Sequence, residues 1–309
     1  MSPEISLSSA NSTKRIGFAS WMERVLEESD HAQSAWDPGT VHDLRVALRR
    51  CRTMAEALSE VYPGAGWRKI KRASKPLFHA LGDLRDTQVE RDWIKKLGPA
   101  RDPVRVRMLR ALAIREKQNR KSARQALDRF DRKEWKKLGR KLDSKARFFP
   151  IESVVFQRLA LSRLNKAVQL YEAARKGRST VAWHHLRIGI KSFRYVVENF
   201  LPQRYEVWAD DMKVMQDLLG EVHDLDVLRG DIRRAVARPY RQHDQHPNQQ
   251  LYQQKVAEWI ERIKAERKAR IAEFLSRVSG DGSVWLTWRA GFQWGHALVA
   301  ASFPERRTA

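Results

Sequence analysis

Apolar residues in this chain return every three or four positions, and period-2 alternation bounded by turn residues does not appear. Ile16, Phe18, Trp21, Met22, Val25 and Leu26 predict a first amphipathic helix. Asp37-Pro38-Gly39-Thr40 then breaks the chain and offers Thr40 as the N-cap of a second helix, which carries Leu44, Leu48, Cys51 and Ala55 and stops near Tyr62-Pro63-Gly64. A third helix starts around Trp67, runs through Ile70, Leu77, Leu81 and Leu84, and is expected to end within Leu81–Val89. One long charged helical stretch follows from Pro103 to about Lys141. Phe149-Pro150 is a natural boundary, after which the plan restarts with Leu159, Leu161, Leu164, Val168 and Tyr171, a turn at Gly177–Thr180, and a helix carrying Leu186, Ile190, Phe193 and Val197 that ends at Leu201-Pro202. A mobile polar loop is expected over Arg238–Gln250, then a charged helix around Ile260–Val278 and a tail whose Trp285, Trp288 and Trp294 need burial. The fold class is therefore all-α, with a disordered segment at 1–13 and two helical halves at 14–148 and 149–309 of about four helices each.

The restart is a repeat. Val41–Arg52 contains His42, Arg45, Arg49 and Arg52; in Trp183–Arg194, 142 positions later, His184, Arg187, Lys191 and Arg194 keep the same spacing. At about 100° per residue, positions 0, +3, +7 and +10 fall within an arc of about 80°. Each copy is thus a helix with one basic stripe and an apolar side roughly opposite. A second repeated element, Leu81-Gly82-Asp83-Leu84-Arg85-Asp86 and Leu219-Gly220-Glu221-Val222-His223-Asp224, is offset by 138. Asp86 and Asp224 read as N-caps of the helices that follow, and Gly82 and Gly220 as sites of close helix packing.

Charge sharpens this picture. The chain of 309 residues has 60 Lys and Arg against 37 Asp and Glu, a formal net charge of +23. That excess points to a polyanionic partner, and at this level nucleic acid, anionic membrane, polyphosphate and acidic protein all remain open. The single cysteine, Cys51, excludes an internal disulfide and sits on the apolar side of its helix, where a small buried hydrophobe is expected. Met1–Thr13 has no apolar core of a secretory signal, and no run approaches a membrane span, so a cytoplasmic protein is expected. His243 and His246 have no Cys or carboxylate cluster beside them, and neither metal nor cofactor is expected.

Three or more cations in one stripe repel each other, a cost that an anion lying along the helix removes. Arginine adds forked donors that match phosphate oxygens. A histidine one turn earlier can donate in either protonation state, and a bound polyanion favours its charged form. Glu56 and Glu198, four residues beyond Arg52 and Arg194, read as intrahelical partners that orient the last arginine. Arg50 adds a further cation in the first copy, and Lys75 with its counterpart Lys213 completes the candidate set on symmetry.

His42-x-x-Arg45-Val46-x-x-Arg49-Arg50-x-Arg52 and His184-x-x-Arg187-Ile188-x-x-Lys191-x-x-Arg194-Tyr195, together with the Leu-Gly-x-x-x-Asp-x-x-Val elements at 81–89 and 219–227, resemble the CHAD domain, the conserved histidine α-helical domain, from about Ile16 onward. The resemblance implies two pseudo-twofold-related four-helix halves with a basic groove or pore between them. It also implies binding of inorganic polyphosphate, with some members found at polyphosphate granules. Lys191 in place of an arginine, and Ser192 where Arg50 stands, depart from the pattern in the second copy.

Non-catalytic polyphosphate binding is accordingly the leading expectation. Single-stranded nucleic-acid binding is the alternative, but such surfaces interleave aromatics with cations, and the stripes hold only Tyr195. A phosphoanhydride-processing enzyme is the third. Some CHAD domains are fused to a CYTH hydrolase, yet its Glu-x-Glu-x-Lys signature is missing, as is a phosphate loop or a carboxylate pair suited to metal-assisted hydrolysis.

Overall fold

The computed structural model describes residues 17–64, 66–177, 179–237 and 249–300. Among these there is no strand, and ten helices follow one another: α1 (Phe18–Ser34), α2 (Pro38–Val61), α3 (Arg68–Leu97), α4 (Pro103–Asp128), α5 (Arg132–Ala146), α6 (Val154–Lys176), α7 (Thr180–Phe200), α8 (Pro202–Ala237), α9 (Gln249–Val278) and α10 (Val284–Ala300). Five precede Phe149-Pro150 and five follow it, where about four on each side were expected. The segment 1–13 lies outside the described residues, as does Arg238–Gln250 apart from Gln249 and Gln250, and with it His243 and His246.

Several boundaries differ from the sequence reading, each for a local reason. Asp37, not Thr40, caps α2: its carboxylate accepts from the Gly39 and Thr40 amides at 2.7 and 3.1 Å. Thr40 completes the capping box by accepting from the Asp37 amide at 3.3 Å, with Pro38 occupying a position that needs no donor. The stretch from Pro103 to Lys141 is two helices, because Asp131 accepts from the Glu134 amide at 2.8 Å and starts α5 afresh. α3 and α8 run straight through Asp86 and Asp224, so neither aspartate is a cap. A Cβ on Gly82 or Gly220 would meet nothing within 4 Å, so these glycines do not serve close packing. That role falls to Gly98, Gly189 and Gly291, where an added Cβ would lie 2.2 Å from the Trp259 ring, 2.8 Å from Leu170 and 2.3 Å from the Trp208 ring.

The helices cluster into two compact units, one of residues 1–74 and 131–148, the other of 75–130 and 149–309. The boundary between these units does not coincide with the restart at Phe149-Pro150: α4 and most of α3 group with α6 to α10.

In the first unit the buried sides of α1, α2 and α5 enclose Met22, Val25, Leu44, Leu48, Cys51 and Leu138. Trp67 meets Phe18 edge-on at 5.5 Å, and Trp135 donates its Nε1 to the Met22 carbonyl at 3.0 Å. Cys51 is fully buried and free, and burial pushes its thiol well above the ordinary value, which suits the small hydrophobe expected.

In the second unit one core joins α3, α4, α8 and α9 through Trp93, Ile94, Leu112, Leu225, Ile232 and Trp259. Another joins α6, α7, α9 and α10, where Phe156 stacks on Phe200 at 3.9 Å and Phe193 meets Trp288 at 5.3 Å. Trp285 and Trp288 are buried as the sequence demands, while Trp294 lies outside the described side chains.

Asp102 links capping to packing. It caps α4 through the Val104 and Arg105 amides at 2.9 and 3.1 Å and accepts from the buried Trp259 Nε1 at 2.9 Å. Replacing it (Asp102→Ala) removes the cap and strands the indole donor, at a cost on the order of 3 kcal/mol. Urea denaturation followed by helicity measures this, and a loss under about 1 kcal/mol would show that neither bond matters.

Candidate anion site on α7 and its counterpart on α2

The second stripe can be built from its helix upward. α7 buries Trp183, Leu186, Ile190, Phe193 and Val197 and turns its other side outward. Arg187 and Lys191, one turn apart, stand on the wall of a cleft of about 480 Å³ within the second unit. α8 supplies Asp217, Glu221 and Asp224 to the same cleft, at intervals of four and three residues that place them on one helix side. α3 supplies Arg85, Asp92, Trp93 and Lys96. Among the described residues, the buried Nε of Arg187 has no hydrogen-bond partner. Trp93 is not an open stacking surface: it is buried, and the Lys96 ammonium sits 4.6 Å from its ring centre.

The histidine at the head of the stripe is paired. His184 Nδ1 lies 3.2 Å from His223 Nδ1 of α8, with ring centres 4.7 Å apart. A hydrogen bond there requires one ring protonated at Nδ1 and the other bare. Burial, then the charges of Arg187, His185 and Lys191, lowers the His184 pKa. The same effects, burial first and Arg187 next, push His223 down to about 4. Asp224 moves the other way, up to about 6: burial raises it, Arg187 and Lys191 oppose, and the neighbouring charges of Asp86 and Glu221 add to the rise.

The end of the stripe is used differently. Arg194 lies 3.7 Å from Glu198 and donates to the Tyr205 hydroxyl at 3.1 Å, while that hydroxyl donates to Glu198 at 3.0 Å. Burial alone would lower the Arg194 pKa; Glu198 and Tyr205 outweigh it. The expected intrahelical partner is present, within a triad that reaches into α8.

In the first unit the stripe of α2 places His42 in the open, with Arg45, Arg49, Arg50 and Arg52 half-buried. Arg52 is held by α3, donating to the Lys71 carbonyl at 2.7 Å and the Ser74 hydroxyl at 2.9 Å. Glu56, read as the partner of Arg52, is engaged by Lys71 at 3.1 Å, although its charge still acts on Arg52. Arg50 lies off the stripe, its guanidinium 5.1 Å from the Trp21 ring centre. Lys75 and Lys213 are both exposed, and neither lines the cleft.

Residues that sequence reasoning passed over are therefore Asp224 in its actual role, His223, Arg85 and Lys96. The repeat at offset 138 held a signal for three of them, since it aligns His223 with Arg85 and Asp224 with Asp86. Among the described residues no group of three or more His, Cys, Asp or Glu is arranged to hold a metal ion, and no helix is long and apolar enough to cross a membrane.

Fold and site together define an all-α protein with cation-lined helix faces. The model of the CHAD domain matches residues 20–233, and the chain belongs to the CHAD family. Two solved structures share the fold. The CHAD domain from the plant Ricinus communis is 21% identical with a TM-score of 0.55, covering 89% of this chain and 88% of its own. PptA from Streptomyces chartreusis is 14% identical with a TM-score of 0.62, covering 82% of this chain and 95% of its own. No curated protein matches the chain.

The two ends of the α7 stripe should separate on substitution. Arg194→Ala leaves Glu198, whose side chain is only 8% exposed, with the Tyr205 hydroxyl but no cation beside it, and should cost roughly 2–3 kcal/mol. Arg187→Ala should cost less than about 1 kcal/mol. Equal losses in thermal and urea unfolding would contradict this division.

Proposed function

We propose that this chain binds inorganic polyphosphate through the basic stripes of α2 and α7 and does not catalyse its hydrolysis. The observation that carries the reading is the pair Arg187 and Lys191 on a cleft wall, on a helix whose cation spacing is repeated at Arg45, Arg49 and Arg52. A guanidinium that lines a cleft can grip a phosphoryl oxygen. Membership of the CHAD family supports the ligand class, and association with polyphosphate granules belongs to the same reading.

Each internal phosphate carries charge, so affinity comes from many cation contacts and falls steeply with salt. His42 and Arg49, with Arg45 and Arg187, are the first contacts proposed; Lys75 and Lys213 reach the chain only where it extends along the exposed surface. Arg50, Arg52 and Arg194 also make contacts that hold the fold, and act on the ligand mainly as background charge.

Nucleic acid fits less well. Stacking needs exposed aromatic faces beside cations, whereas Trp93 is covered by Lys96 and the Tyr205 hydroxyl is engaged by Arg194 and Glu198.

Calorimetry with the double variant Arg45→Ala/Arg187→Ala should show polyphosphate affinity reduced at least about tenfold, the worth of one good charged contact, with helicity intact. Unchanged binding would overturn the stripe assignment. Displacement of labelled polyphosphate by an oligonucleotide at equal phosphate concentration would favour nucleic acid instead, and phosphate release in the presence of magnesium would refute the non-catalytic reading.

The histidines give a pH dependence. The His184 pKa is lowered in the free protein and a bound polyanion draws it back up, so protons are taken up on binding and affinity rises as pH falls below about 6.5. His42→Gln/His184→Gln should have a flatter profile in that range than the wild type, measured against the same polyphosphate.

A further inference from the structure

The α7 cleft differs from a simple basic track in holding carboxylates beside its cations. Arg187 and Lys191 share it with Asp224, Glu221 and Asp217 of α8, while α3 contributes cations and a carboxylate of its own. Glu221 is already engaged by Arg270 of α9. Asp224 is the carboxylate on which Arg187 and Lys191 act directly, so it competes with any anion for the same two cations.

We infer that Asp224 is the proton acceptor of the site, so that a phosphate group settling on Arg187 and Lys191 enters together with a proton that comes to rest on the Asp224 carboxyl. The inference rests on the polyphosphate reading above and concerns the regulation and selectivity of that site.

Its basis is the cleft that Asp224 lines together with Arg187 and Lys191 of α7, Arg85, Asp92 and Lys96 of α3, and Asp217 and Glu221 of its own helix. From α7 come the two cations, from α3 the negative charge of Asp86, and from its own helix the charge of Glu221, with His223 adjacent in sequence and paired to His184. Burial first, and then two like charges, oppose ionisation, while Arg187 and Lys191 favour the charged form. A bound phosphate neutralises those two cations and adds negative charge of its own. Both changes favour the protonated carboxyl, which can then donate its O–H to a phosphoryl oxygen instead of repelling it. The proton comes from solvent and returns there on release.

Burial and the neighbouring cations lower both histidines, His223 to about 4, and a bound polyanion draws His184 back up as well, so the share of Asp224 is read from the difference between Asp224→Asn and the wild type. Asp224, at about 6 in the free protein, is the group whose midpoint a bound polyanion lifts through neutrality. Affinity should therefore rise already as pH falls from about 8 to about 6.5.

The test is titration calorimetry of the full chain with inorganic polyphosphate at about pH 7, in buffers of differing ionisation enthalpy, which counts the protons bound. The wild type should take up protons, and Asp224→Asn should take up fewer, by between half a proton and one. At about pH 8 Asp224→Asn should bind some three- to tenfold more tightly, since the competing charge is gone. Equal uptake by Asp224→Asn and the wild type would overturn this inference alone, whereas a wild-type chain that fails to bind polyphosphate overturns the reading beneath it as well. Carboxyl ¹³C shifts of the unsubstituted protein report the same group directly: its midpoint must move upward on adding polyphosphate, and an unmoved midpoint is equally fatal.

Discussion

Like charges fixed at successive turns of one helix repel each other, and the fold must hold them there before any ligand arrives. On α7 the restraint comes from the opposite side of the helix, where Leu186, Ile190, Phe193 and Val197 are buried against neighbours. Each such side chain contributes roughly 1.5–3 kcal/mol of burial. Repulsion between half-exposed cations one turn apart is about 1 kcal/mol or less in water-like surroundings. Burial therefore exceeds repulsion several-fold, and the stripe stays helical. Gly189 belongs to the same balance, because a side chain there would collide with Leu170 and separate α6 from α7.

Not every cation in the pattern is left for a ligand. At the end of α7 Arg194 enters a triad with Glu198 and Tyr205, and at the end of α2 Arg52 fastens the start of α3 through Lys71 and Ser74. These are different solutions to one local problem. A guanidinium brought close to a helix–helix junction loses water and must regain donors' partners from the protein. Nearer the start of the α7 stripe Arg187 and Lys191 line a cleft instead. Position along the helix, rather than residue type, separates the two settings.

Much of this was legible in the sequence. The apolar period of 3.6, the proline breakers after Tyr62 and Leu201, the burial of Cys51 and the repeated stripe all follow from side-chain spacing. The continuation of α3 and α8 through Asp86 and Asp224 did not. Asp86 and Asp224 look like N-caps locally, and the buried side of α3 passes through two polar residues, Thr87 and Glu90. Glu90 can be buried because Arg115 of α4 meets it at 2.9 Å and also bridges to Asp231 of α8 at 2.9 Å. That partner is 25 residues away in one case and 116 in the other, beyond the reach of a local window. Once the ion pair is admitted, the apolar side runs unbroken to Trp93 and Ile94.

The same non-local logic changes what the repeat means. At offset 138, Asp86 corresponds to Asp224 and Arg85 to His223. Read along the chain, each pair is a helix start. In the structure Asp86 and Asp224 act on one another's charge, and Arg85 and Asp224 line one cleft. Burial, and then the charge of the duplicated carboxylate, weaken the ionisation of Asp224, and two cations from α7 offset part of that. An assembly of that kind is poised: any anion that takes the cations away also takes away the reason for Asp224 to be charged. A fully cationic surface would hold a polyanion more tightly and release it only with salt or competition. Placing a carboxylate among the cations gives up some affinity at neutral pH and couples what remains to the proton.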